Sequence, residues 1–106
     1  MTPEKKVKAK CTRILKKLHQ EDPWSFYYFF PQAGPFGRAG VPDIIISARG
    51  RFTAIECKAG KNGLEKLTKL QAFELKKISQ SGGAVTVVDE STTPLELEAW
   101  LRKKAL

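Results

Sequence analysis

Apolar residues recur at helical spacing through Val7, Cys11, Ile14, Leu15 and Leu18, with Lys5, Lys6, Lys8, Lys10, Arg13, Lys16 and Lys17 between them. One apolar stripe on an otherwise cationic cylinder is an amphipathic helix. Thr2-Pro3 supplies a cap and a proline at the first helical position, which places this helix over residues 3–20. Asp22-Pro23 breaks the pattern, and Trp24 to Phe30 is a dense run of strand-forming aromatics, expected to be mostly core. The segment from Pro31 to Gly40 mixes glycines and prolines with Arg38 and reads as a loop.

Beyond that loop the period changes to two. Residues 43–48 and 51–58 are rich in isoleucine and flank a turn at Arg49-Gly50. A hairpin centred on that turn sets Asp43 directly opposite Glu56. Lys58 shares the face of Glu56, while Ile55 and Cys57 point the other way. Pro42, lacking an amide hydrogen, suits the start of the strand. Both faces carry apolar residues, so this part of the sheet is expected to be covered on both sides.

Ala59 to Leu67 reads as a loop, and Thr68 with Gln71 forms a capping-box pattern that starts a helix running to about Ser81. Its inner stripe takes Leu67 or Leu70, Leu75 and Ile78, with Gln71 and Glu74 near the same arc. Gly82-Gly83 ends it, Ala84 to Val88 is a short strand, and Thr93-Pro94 opens a last helix with Leu97, Trp100 and Leu101 on its apolar side. The order α-β-β-β-α-β-α, with a crossover helix before the last strand, predicts an α/β domain with a mixed β-sheet flanked by helices.

Composition sharpens the choice of partner. The 106 residues fit one domain and carry a formal net charge of +8. Such a surplus suits a polyanion, nucleic acid first, although it also serves plain solubility. No apolar run approaches the roughly 20 residues of a spanning helix, and the lysine-rich start lacks the apolar core of a signal peptide. No membrane role and a cytoplasmic location are therefore expected. Cys11 and Cys57 lack metal-ligand or redox spacing and read as small buried hydrophobes on separate elements.

Two carboxylates facing each other on a sheet repel, and a bound cation relieves that repulsion. Asp43 and Glu56 offer hard oxygen ligands suited to Mg2+ or Mn2+, and the backbone carbonyl of Cys57 adds a third. Lys58 then stands where it can position or deprotonate a water, or offset charge on a phosphate. The plainer alternative is an exposed ion-pair cluster of little energetic consequence. Embedding in Ile-rich strands argues against it, because unpaired carboxylates are costly to bury. Glu4 falls on the core-facing stripe of the first helix, either complementing the helix dipole or reaching toward the carboxylates. Gln71 is either a capping partner or a side chain aimed at the same cluster.

Pro42-Asp43 followed by Glu56-Cys57-Lys58 resembles the PD-(D/E)xK nuclease signature. With Glu4 in the first helix, Gly40-Val41 before Pro42-Asp43, and Leu67-Thr68 leading to Gln71, the chain resembles the VRR-NUC family, in its stand-alone phage or bacterial form. The resemblance runs from Glu4 to about Val88. It implies a restriction-endonuclease-like core that hydrolyses DNA phosphodiester bonds with Mg2+ or Mn2+, in a bacterium or a phage-infected host cell. Asp43, Glu56 and Glu4 would then hold metal, Lys58 would be the catalytic lysine, and Gln71 would help arrange the site. It further implies a homodimer acting on branched DNA such as four-way junctions.

With no further domain in these residues, DNA contacts are expected from the basic surface, at Lys5, Lys8, Arg38, Lys61, Lys66 and Lys69. The aromatic run Trp24–Phe30 and Trp100 are available to hold two subunits together, or simply to pack the core. Two alternatives stand beside this reading. One is a nucleic-acid-binding protein that keeps the fold and cuts nothing; the other is a nuclease selective for flaps or single strands.

Overall fold

The computed structural model describes residues 1–32 and 37–105, so residues 33–36 of the predicted loop lie outside the described residues. The chain is an α/β protein in the order α1 (Pro3–Glu21), β1 (Phe26–Phe29), β2 (Ile44–Ala48), β3 (Arg51–Cys57), a single 3-10 turn (Gly63–Lys66), α2 (Lys69–Gln80), β4 (Ala84–Val88) and α3 (Pro94–Lys104). The 3-10 turn interrupts what the sequence presents as a plain loop.

Helix ends follow local chemistry. Thr2 accepts from the Lys5 amide ahead of Pro3, and Thr68 and Thr93 each form a full capping box, with Gln71 and Glu96 respectively. Each side chain satisfies an amide that the helix itself leaves unpaired.

The four strands form one sheet in the order β1-β2-β3-β4, antiparallel except for the parallel β3–β4 pair. The β2–β3 hairpin turns on Arg49 (φ 50°) and Gly50 (φ 84°), two left-handed residues that match the strand twist. Its register pairs Ile44 with Ile55 and Ala48 with Arg51, as a turn centred there requires. Strand β4 returns parallel to β3 through α2, which is the crossover expected of a mixed sheet.

One sheet face carries the main core. Phe26, Ile44, Ile46, Ala48, Ile55, Cys57 and Val88 pack against Val7, Cys11, Leu15 and Leu18 of α1 and Leu97 and Leu101 of α3. Trp100 is half-buried against that cluster. Alternation along the strands sends Asp43, Ile45, Phe52, Ala54 and Glu56 to the opposite face. There α2 covers the β3–β4 side, with Leu75 buried near Val85 and Val87.

Within the hairpin the expected coverage holds at Ala54, Glu56 and half-buried Ile45 but not at Phe52, and toward β1 no described element covers that second face. The aromatic run is not mostly core: Phe26 is buried, but Trp24 is 98% exposed, Tyr27 66% and Phe29 45%. Phe52 is also 47% exposed on β3. The strand itself is shorter than the run, because Pro23 and the turn before Phe26 hold Trp24 and Ser25 outside the ladder. Leu70 likewise points outward, leaving Leu75 and half-buried Ile78 as the inner residues of α2.

The approach of α2 depends on Gly40. Its φ of +79° is left-handed, and a Cβ there would lie 2.8 Å from the Leu70 carbonyl carbon. No described helix is long and apolar enough to cross a membrane.

Candidate functional site

Asp43 sits one residue before β2, and Glu56 is the penultimate residue of β3. Extending the ladder by one step makes them opposite neighbours, and each carboxylate accepts the other strand's amide. The Asp43 N–H donates to Glu56 Oε1 at 3.2 Å, and the Cys57 N–H donates to Asp43 Oδ2 at 2.8 Å. The two acids are therefore fixed to the strands themselves.

Their environments differ. Glu56 is 2% exposed, whereas Asp43 is half-buried. Burial first, and then the Asp43 carboxyl beside it, push the Glu56 pKa up to about 8, against a partial pull downward from the Lys58 charge. Asp43, Glu56 and Gln71 open into a cavity of about 320 Å³ walled by Arg38, Gly40 and Val41.

Lys58 follows β3 directly and is half-buried, its amide donating to the Val88 carbonyl at 2.9 Å. Of the two roles read for Gln71, the structure shows the cap: its Oε1 accepts from the Thr68 amide at 3.0 Å, while the residue also borders the carboxylate cavity. Glu4 differs from the expected stripe position, being exposed in the first turn of α1 because Val7 and Cys11 already fill the buried side. Among the described residues, no group of three or more His, Cys, Asp or Glu gathers as a metal site. The side chains that could hold a cation here are therefore Asp43 and Glu56, a small hard-oxygen set of the kind that leaves a cation several waters.

The cations around the site fall into two groups. Lys8 Nζ lies 3.9 Å from Asp43 Oδ1 and 6.0 Å from the Phe30 ring centre. Arg38 pairs at 3.0 Å with Glu74, a buried carboxylate on α2, and so ties the glycine loop to that helix. Lys66 donates to the Ala59 carbonyl at 2.9 Å. Lys5, Lys61 and Lys69 are exposed.

The sequence reading missed Asp89. It is buried at the end of β4, accepts from the Gly63 amide at 2.8 Å and from Ser91, and its pKa is lowered to about 2, mainly by the Ser91 hydroxyl and then the Gly63 amide. Lys10 Nζ donates to the carbonyls of Asp89 and Thr92 at 2.8 and 2.6 Å. This knot joins α1, the turn after Lys58 and the start of α3. The Asp-x-Ser-Thr turn pattern at Asp89–Thr92 was its available signal.

The two cysteines are buried on separate elements, as expected, but they touch. Their sulfurs are 3.8 Å apart, and the Cys11 sulfur together with burial pushes the Cys57 thiol well above the ordinary thiol range. The sequence matches no family model, and no curated protein is similar to it.

The raised Glu56 pKa has a definite sign. A carboxyl whose pKa rises from 4.5 unfolded to about 8 folded favours the folded state while protonated, and that contribution is lost as pH rises through about 8. Metal-free protein is therefore expected to melt at falling temperature between pH 5 and 9, with Glu56→Gln flattening the profile. A wild-type melting temperature independent of pH across that range, read by circular dichroism, contradicts the assignment.

Proposed function

We propose that this chain is a metal-dependent endodeoxyribonuclease with a restriction-endonuclease-like core, of the VRR-NUC type, acting on branched DNA as a homodimer. The observation that carries the reading is the Asp43–Glu56 pair, locked across two strands by reciprocal amide bonds, with Lys58 one step beyond and a glycine-lined cavity in front. Such a pair at a sheet end, in a chain of net charge +8, suits a cation and a phosphate better than it suits structural support.

Mg2+ or Mn2+, when bound, supplies Lewis acidity to a water and to the phosphate. The chain's own residues do the rest. Asp43 and Glu56 hold the cation in a geometry set by the β2–β3 ladder. Glu56 must give up its proton first, so activity is expected to rise with pH through neutrality. Lys58 lowers the cost of that ionisation and offsets charge on the phosphate. Gln71, anchored by its cap, borders the cavity on the α2 side. Lys8 moves from Asp43 to a phosphate at little cost, because a 3.9 Å part-exposed ion pair is weak.

A second reading has two observations in its favour. Glu4 is exposed in the first turn of α1 and only two carboxylates meet, which suits a protein that binds nucleic acid without cutting it. Cleavage decides between them. With labelled four-way junction and Mg2+ or Mn2+, wild type is expected to cut, and Asp43→Asn and Lys58→Ala to lose about 10²-fold or more. Equal cleavage by all three proteins, or none by wild type with any divalent metal, rejects the nuclease reading.

The open sheet face supports self-association. Phe29, Ile45, Phe52 and Ile78 line an apolar groove of about 540 Å³ beside exposed Tyr27. A contiguous apolar face of this kind marks an interface, and a two-fold contact would set two carboxylate sites on one junction. Sedimentation is expected to show a dimer at micromolar concentration and a monomer for Phe52→Asp. A wild-type monomer throughout contradicts this face as a dimer contact.

A further inference from the structure

The main core sets two thiols against each other directly behind the carboxylate pair. Cys11 Sγ on α1 lies 3.8 Å from Cys57 Sγ on β3, and both residues are fully buried. A single buried cysteine is an inert small hydrophobe. Two touching sulfurs on different elements are one bond short of a crosslink, since a disulfide needs about 2.05 Å between them.

Cys57 is a consequential place for such a bond. Its amide holds Asp43 Oδ2 at 2.8 Å, and its chain neighbours are Glu56 and Lys58. Drawing Cys57 toward α1 therefore displaces all three groups that the proposed reaction uses.

We propose that Cys11 and Cys57 are an oxidation site, closing a reversible disulfide when hydrogen peroxide is the oxidant and thereby lowering the activity of the carboxylate site. The crosslink stands on the sulfur geometry alone; only its effect on cleavage rests on the nuclease reading.

The chemistry balances. One thiol sulfur attacks a peroxide oxygen, the O–O bond breaks, and the departing hydroxide takes the thiol proton to leave as water. The second sulfur attacks the resulting sulfenic sulfur, an S–S bond forms as S–O breaks, and a second water leaves with that thiol's proton. The sulfurs lose two electrons and the peroxide gains them. A thiol reductant reverses the bond by two exchange steps. Because both sulfurs are closed to solvent, oxidation waits on local separation of α1 from the sheet and is slow.

The test treats the wild type, Cys11→Ser and Cys11→Ala with millimolar hydrogen peroxide, followed by denaturation, alkylation and peptide mass mapping. The wild type is expected to lose both alkylatable thiols and to give a Cys11–Cys57 linked peptide that dithiothreitol separates. Junction cleavage with Mg2+ is expected to fall about fivefold or more and to recover with dithiothreitol, while the two variants cleave like reduced wild type and do not respond to peroxide. Thiols that stay alkylatable, or that oxidise to sulfinic acid without a linked peptide, overturn the site. A linked protein of undiminished activity overturns the switch. A reduced wild type that cuts no DNA rejects the nuclease reading instead, and the linked peptide still decides the crosslink.

Discussion

The candidate site depends on an electrostatic conflict at the end of a sheet, two carboxyl groups packed where both cannot readily ionise at once. Asp43 and Glu56 face each other across β2 and β3, each bonded to the other strand's amide, and one of them is almost wholly buried. Burial first, and then the Asp43 carboxyl beside it, push the Glu56 pKa up to about 8, and Lys58 offsets that only in part. Elsewhere local preference and packing agree, as capped helices and apolar strands should. A local violation in an otherwise consistent fold is where function is expected to reside.

The surrounding elements keep that conflict in place. α1 and α3 close one side of the sheet and α2 closes part of the other, reaching the site through the tight contact at Gly40. The Arg38–Glu74 pair fixes the glycine loop to α2, and Asp89 with Lys10 fixes the turn beyond Lys58. Among the described residues no element covers the β1 side of the sheet, so the polar site and an apolar face lie side by side. In the proposed reading the first meets a phosphate and the second another copy of the chain.

Much of this was legible in the sequence because the signals were local. Strand alternation and the Arg49-Gly50 turn specify the hairpin register, and with it the opposition of Asp43 and Glu56. Threonine caps located all three helix starts. What remained hidden was non-local. Aromatic content alone cannot tell a core strand from an open face, so the exposure of Tyr27, Phe29 and Phe52 emerges only once α2 is seen to stop short of them. Periodicity placed Glu4 on the inner stripe, yet one turn of helix already reaches solvent there. The contact between Cys11 and Cys57 depends on how α1 crosses the sheet, across 46 positions of sequence.

On the proposed reading the carboxylate pair binds a divalent cation. Titrating metal-free protein with manganese(II) near pH 8 and following the free-ion paramagnetic signal tests it without assuming any substrate. Wild type is expected to remove the signal stoichiometrically, and Asp43→Asn and Glu56→Gln each to weaken binding about tenfold or more, as loss of a ligand should. Equal manganese binding by all three proteins, or none by wild type, would contradict the account.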